Sequence, residues 1–277
     1  MTSQQEKAEL FRSLHERPGA FIIPNPWDAG TAVMLAHLGF EALATTSAGL
    51  AFALGARDGG VTREAAIANV ATIAGATALP VSADLENCYA DAPQAAAQTL
   101  MLAAQAGAVG GSIEDASGDP DKPIYDFTLA VERVAAAVEE ARRLPFPFTL
   151  TARAENFLHG REDLDDTLRR LEAYAQAGAD VLYAPALPGL DAIRTVCRSL
   201  PKPVNVLAGA RQTHSIAELA EAGAKRISLG SALNRAALGA FLRAARELKE
   251  TGTLGFIGEA APYAEITAMM PPQGGKG

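Results

Sequence analysis

The sequence predicts an α/β fold, a (β/α)8 barrel of the TIM type, and two observations carry that prediction. The phrase Ala-Gln-Ala-Gly-Ala spans Ala104 to Ala108 and again Ala175 to Ala179, and it recurs as Ala220-Glu221-Ala222-Gly223-Ala224. Each copy separates an amphipathic stretch from a short apolar run, as a helix-to-strand junction does. Gly107, Gly178 and Gly223 suit the left-handed residue that closes a helix without a Cβ clash. Leu38-Gly39-Phe40 is a looser fourth copy. The second observation is the alternation itself: repeated returns from helix to strand build parallel strands joined by crossover helices. Eight such units in 277 residues close into a barrel more readily than they extend an open sheet.

Taken in order, the strands read as residues 21–23, 42–46, 80–83, 109–113, 148–152, 181–183, 204–206 and 227–229. Short apolar runs between turn residues fit strands buried on both faces. Residues 62–76, 93–106, 126–143 and 164–177 carry apolar side chains at helical spacing. Pro93 suits a first helical turn, where its missing N–H leaves nothing unbonded. A long final helix covers 231–251. Gly252, Gly255 and Gly258 then open a segment, about 252–270, expected to pack elsewhere, and 271–277 reads as a disordered tail. No low-complexity linker divides the chain, so residues 1–277 are expected to form one domain.

Composition narrows the partners. A net charge of -8, a pI near 5.1 and the absence of a basic run argue against nucleic acid or an anionic membrane as partner. Residues 1–19 are too polar for a signal peptide, and no apolar run is long enough to cross a bilayer, so a cytoplasmic location is expected. Cys88 and Cys197 are too few for a disulfide framework and lack zinc spacing. His15 and His37 fall in helical stretches and are expected at the surface.

In such barrels ligands bind beyond the carboxyl ends of the strands. The residues there are Asn25-Pro26-Trp27-Asp28, Ser47-Ala48-Gly49, Asp84 with Glu86, Glu114-Asp115, Arg153 with Glu155-Asn156, and Asn205. Several carboxylates gathered in one mouth repel one another unless a cation neutralises them, and hard oxygen donors favour Mg2+ or Mn2+. Any one of these acids taken alone is equally well a solvated loop residue or a helix cap.

Taken together these residues resemble the isocitrate lyase and phosphoenolpyruvate mutase superfamily. The resemblance runs in order through Pro24-Asn25-Pro26-Trp27-Asp28, Thr46-Ser47-Ala48-Gly49, Asp58, Val81-Ser82-Ala83-Asp84, Ser112-Ile113-Glu114-Asp115, Thr151-Ala152-Arg153 and Gly178-Ala179-Asp180. It implies a barrel that binds a 2-oxo acid or enolate on magnesium, in a homo-oligomer (dimer or tetramer) whose last helix is exchanged between subunits. By resemblance, Ser47, Ala48 and Gly49 hold a substrate carboxylate and carbonyl through backbone N–H groups. Trp27, Asn205 and Arg153 join them in substrate binding. Asp58, Asp84 and Glu114 match positions that hold the metal directly or through water, and Arg153, Glu114, Asp58 and His159 form the expected catalytic set.

Two departures shape the expectation. Ser82 stands where the family usually has an aspartate that contacts the metal, with Glu86 or a water as the replacement. Residues 115–123 replace the Lys-Arg-Cys-Gly-His motif of the lyases, and Gly118, Pro120 and Pro123 make that loop a candidate lid. Cys88 lies on another loop and reads as a packing residue. The expected function is therefore metal-dependent cleavage of a C–C bond beside the carbonyl of a small 2-oxo or 2-hydroxy dicarboxylic acid, by a lyase or an oxaloacetate-type decarboxylase. Phosphonopyruvate or phosphoenolpyruvate chemistry is the alternative within the family. A barrel that grips phosphate through Leu207-Ala208-Gly209-Ala210-Arg211 and Leu229-Gly230-Ser231-Ala232 is the alternative from a different enzymatic class, and a barrel that lost turnover with Ser82 and the lid motif and only binds a 2-oxo acid is the non-enzymatic one.

Overall fold

The computed structural model describes residues 2–209 and 214–271. Its strands are β1 (Phe21–Ile23), β2 (Leu43–Ala44), β3 (Val81–Ala83), β4 (Gly110–Glu114), β5 (Thr149–Arg153), β6 (Val181–Tyr183), β7 (Val204–Leu207) and β8 (Arg226–Ser228). They form one sheet in the order β1-β8-β7-β6-β5-β4-β3-β2, every neighbouring pair parallel. The expected barrel is present, and its last seam is closed by other means than a ladder. Ala44 N–H donates to Pro24 O at 3.1 Å. Asn25 adds three bonds: Nδ2 donates to Thr45 O at 3.0 Å, and Oδ1 accepts from the N–H groups of Leu229 and Gly230, each at 2.9 Å. A buried amide on β1's exit thus satisfies a backbone carbonyl past β2 and two N–H groups past β8 that the ladders leave unpaired.

The helices that follow the strands in turn are α2 (Ala29–His37), α3 (Ser47–Ala53), α4 (Arg63–Ala76), α5 (Pro93–Gln105), α6 (Phe127–Ala141), α7 (Leu164–Ala177), α8 (Leu190–Ser199), α9 (Ile216–Glu221) and α10 (Ala232–Thr251). Gly107, Gly178 and Gly223 have φ of 102°, 108° and 106°, so the junction glycines adopt the left-handed conformation that their recurrence implies. At the end of the barrel away from the mouth, α1 (Gln4–Glu16) acts as a plug. Its Ala8, Phe11 and Leu14 pack on Phe21, Ile23, Ala42 and Val109. Gly110 permits this approach, because a Cβ there would lie 2.8 Å from the Phe11 ring.

Four details differ from the sequence reading. β2 stops at Ala44, since Thr46 leaves the strand to cap α3, its Oγ1 accepting the Gly49 N–H at 3.2 Å. β4 and β5 run one residue further than expected and take Glu114 and Arg153 into the strands themselves. His15 is buried, not superficial: its ring meets Phe11 and Phe21 edge-on, and burial pushes its pKa down to about 3. The end of the chain carries a short 3-10 helix, Gly255–Glu259, and α11 (Tyr263–Met269), which touches α2 of the same chain. Within α10 Asn234 alone is buried, and Phe241 is 67% exposed. Residues 272–277 of the expected tail, and Ala210 and Arg211 of the expected phosphate-gripping run, lie outside the described residues. Among the described residues no helix is long and apolar enough to cross a membrane.

Candidate active site

The mouth of the barrel opens into a cavity of about 680 Å³. Ser47, Ala48, Asp58, Ser82, Asp84, Glu86, Glu114, Arg153, His159 and Asn205 all line it. Ten of the residues singled out from sequence therefore share one space. Trp27 and Gly49 do not line it. Gly49 is buried with its N–H committed to Thr46, and a Cβ on it would meet the Trp27 side chain, so the two pack behind the site. Trp27 O is held from outside by Asn69 Nδ2 at 2.8 Å.

Arg153 is the centre of the polar layer. Its Nη1 lies 3.0 Å from Asp84 Oδ1 and 3.1 Å from Glu114 Oε2, and its Nε donates to Glu155 Oε1 at 2.8 Å. The ring of Tyr183 sits 4.9 Å from the guanidinium carbon. Burial opposes the charge on Arg153, but Glu114 and Glu155 outweigh it and hold the group well above its ordinary value. Burial likewise raises the Glu114 and Glu155 carboxyls, and Arg153 pulls both back down. Three acids around one guanidinium fix its position, while Nη2 keeps no protein partner among the described residues.

Asp84 is gripped from both sides. Its Oδ2 accepts from Ser47 N–H at 3.0 Å and Ser47 Oγ at 2.9 Å, and its own N–H donates to Thr45 Oγ1 at 2.8 Å. The Ser47 N–H expected to face a substrate carboxylate thus already holds a carboxylate, that of Asp84.

Glu86 reaches the cavity from a turn of unusual backbone. Glu86, Cys88 and Tyr89 have φ of 50°, 59° and 56°, although none is glycine. Each such residue costs on the order of 1–3 kcal/mol and persists only where its surroundings impose it. Arg133 imposes it here. From α6 it donates to Asp91 O at 2.6 Å, Asn87 O at 2.5 Å and Ala90 O, with Tyr125 stacked at 4.3 Å. Thr99 Oγ1 adds a bond to Cys88 O at 2.7 Å. Burial, then the charges of Asp84 and Asp58, push Glu86 up to about 7. Asp58 is raised by burial and by Asp84. Burial lowers the His159 imidazole below its ordinary value.

Mutual repulsion among Asp58, Asp84 and Glu86 is what a cation would relieve, and all their donors are hard oxygens. Among the described residues no three acids, histidines or cysteines converge as a ready cage. Magnesium needs no such cage, since it keeps several waters and takes one or two carboxylates. The donor set therefore fits a hydrated divalent ion beside Asp58, Asp84 and Glu86.

Some residues of the mouth turn out to be struts. Asp115, 3% exposed, points away from the cavity: its Oδ2 accepts from Arg170 Nη1 at 3.0 Å and Tyr174 Oη at 2.7 Å. Asn156 is fully buried and donates to Asp166 at 2.9 Å. Asp28 caps α2 by accepting the Thr31 N–H at 2.7 Å. The 115–123 loop folds as a small antiparallel turn, with Ala116 paired to Ile124 and Arg170 also holding Tyr125 O. Cys88 is buried as a packing residue, its thiol pushed up by burial. Arg226 is a site residue that the sequence reading did not put forward, and Glu155, which it placed at the mouth without a role, proves to hold Arg153. Glu155 had a signal in its spacing from Arg153, whereas nothing local marks Arg226.

Comparison with known proteins gives a consistent picture. The family model for phosphoenolpyruvate phosphomutase matches residues 11–249. A solved structure from Burkholderia cenocepacia J2315, provisionally assigned as a lyase/mutase, is 59% identical, covers 96% of this chain and 95% of its own, and superposes with a TM-score of 0.94. An uncharacterized protein of Mycobacterium tuberculosis is 34% identical over 94% of this chain and 95% of its own. The structure of a 2,3-dimethylmalate lyase is 27% identical, with 97% and 95% covered and a TM-score of 0.84.

Proposed function

Given that the chain belongs to the phosphoenolpyruvate phosphomutase family, within the isocitrate lyase and phosphoenolpyruvate mutase superfamily, we propose that it cleaves a C–C bond beside the carbonyl of a small 2-oxo or 2-hydroxy dicarboxylic acid. Lyase cleavage and oxaloacetate-type decarboxylation share the same core step: the breaking bond leaves its electron pair as an enolate. The observation that carries this reading is the fixed Arg153, charged, with one free edge in a cavity ringed by Asp58, Asp84, Glu86 and Glu114.

In this reading Arg153 pairs with the substrate's negative charge and stabilises the developing enolate oxygen, a role suited to a donor that needs no reorganisation. Asp84, Glu114 and Glu155 hold it still. Asp58, Asp84 and Glu86 would hold a divalent ion, which supplies Lewis-acid polarisation of the 2-oxo and carboxylate oxygens. Ser47 positions Asp84. His159, at the rim, serves as the proton acceptor for a 2-hydroxyl group in the lyase direction. Phosphonopyruvate chemistry fits less well, since a phosphonyl group asks for more cationic donors near the rim than Arg153.

The test is incubation with Mg2+ and oxaloacetate, isocitrate, methylisocitrate, dimethylmalate or phosphonopyruvate, with products followed by NMR and a chelator control. Chelator-sensitive consumption of a dicarboxylic acid is the expected result. Consumption of phosphonopyruvate alone, or binding of a 2-oxo acid without product, would overturn it.

A further inference from the structure

Beneath the carboxylate layer the barrel interior is polar. TIM barrels fill their inner layers mainly with bulky branched side chains, yet here Ser82, Ser112, Asn205, Arg226 and Ser228 line the same cavity. Arg226 opens β8, at the end of the strand away from the mouth, and is 5% exposed. Its Nε donates to Asn205 Oδ1 at 2.8 Å and its Nη2 to Thr151 Oγ1 at 2.9 Å, both neutral acceptors. Its Nη1 is buried without a partner among the described residues.

That arrangement is at odds with how this protein treats its other site arginine and its nearby buried one. Arg153 has three carboxylates, and Arg170 has Asp115 and Asp166. A buried guanidinium with no counter-charge is costly unless an anion answers it. Burial accordingly weakens Arg226's hold on its proton, to about 10. Ser82 on β3, which lines the same cavity, has a hydroxyl with no protein partner among the described residues, although the residue is 4% exposed. Both groups are donors, and among the described residues no carboxylate is bonded to either.

We propose that the floor of the cavity is an anion subsite centred on Arg226, with Ser82 as a second donor, and that it takes the inner carboxylate of a short dicarboxylic ligand whose outer end lies on Arg153. The dicarboxylate identity rests on the function proposed above; the anion subsite does not. Arg226 is then a specificity residue, selecting dianions over monoanions of the same length.

The test uses a halide as a probe that undergoes no chemistry. Crystals of the full-length protein soaked in bromide should show an anomalous peak against Arg226, and chloride NMR lines should broaden in solution. Both signals should vanish in Arg226→Gln and survive in Arg226→Lys. Calorimetric affinity for malonate should fall at least tenfold in Arg226→Gln. A water in place of the bromide, equal chloride broadening in wild type and Arg226→Gln, or unchanged malonate affinity in a folded variant would each overturn the proposal. Failure of the proposed reaction would appear instead as no turnover with an intact halide signal. The wild-type bromide result needs no variant to fold.

Discussion

Glu114 and Arg153 are register partners at the last positions of β4 and β5, with Glu114 Oε2 3.1 Å from Arg153 Nη1. Adjacent parallel strands therefore deliver opposite charges to the same height of the barrel, and Asp84 from β3's exit adds the third member. Replacing Arg153 with lysine keeps a charge but loses the fork that reaches several acids at once. Arg153→Lys should lower kcat/KM at least tenfold, about 1.5–3 kcal/mol for a lost charge-assisted contact. Asp84→Ala should do the same, with steady-state kinetics as the measurement and far-UV circular dichroism to verify folding. Near wild-type kinetics in folded variants would remove these residues from the site.

Glu86 gives the metal-free protein a pH-dependent stability. Its folded pKa of about 7 lies above the ordinary 4.5, so between these values the folded state binds more protons than the unfolded one. Stability must then fall as pH rises across that window. Thermal melts with chelator should show Tm declining from pH 5 to pH 7.5 more steeply in wild type than in Glu86→Gln. Added Mg2+ should raise Tm more at pH 7.5 than at pH 5, because protons and the ion compete for the same carboxylates. Parallel pH profiles for wild type and Glu86→Gln would show that Glu86 is not the group responsible.

Arg133 never touches the cavity, yet it binds three carbonyls of the turn that carries Glu86. Arg133→Met leaves those part-buried oxygens without their donor, at a cost of about 1–3 kcal/mol. Chemical denaturation should report that loss. With the left-handed backbone released, Mn2+ affinity measured by electron paramagnetic resonance should also weaken. In a Glu86→Gln background the Arg133 substitution should leave Mn2+ affinity unchanged, since the side chain it aims is gone.

The strands and the shared mouth were legible because their signals are local. Gly107, Gly178 and Gly223 announce helix ends, and the residue after each apolar run belongs to the rim. What could not be read depends on partners far along the chain. Asp115 comes directly after Glu114, the last residue of β4, but Arg170 and Tyr174 draw it inward from α7. His15 looks like a surface residue on α1 until Phe21 closes over it. Arg226 sits in Lys225-Arg226-Ile227-Ser228, where two adjacent cations read as the solvated start of a strand. Strand alternation sends the first to the carbonyls of Arg17 and Gly19 and the second into the barrel.

Among the described residues, nothing covers the apolar face of α10. Leu238, Phe241, Leu242 and Leu248 recur at helical spacing and are 36%, 67%, 47% and 52% exposed, and Leu254 and Ile257 continue the apolar surface beyond the helix. A contiguous patch of this kind marks an interface. A second copy of the chain is the occupant we infer, in line with the homo-oligomer that the family resemblance implies. Phe241→Asp places a charge at the centre of the patch, where desolvating it opposes association. Light scattering should give an oligomeric mass for wild type and a lower mass for Phe241→Asp, and the wild-type Tm should rise with protein concentration while that of the variant does not. A monomeric wild type at micromolar concentration would leave the patch to some other partner. Equal masses for the two proteins, both oligomeric, would place the subunit contact away from α10.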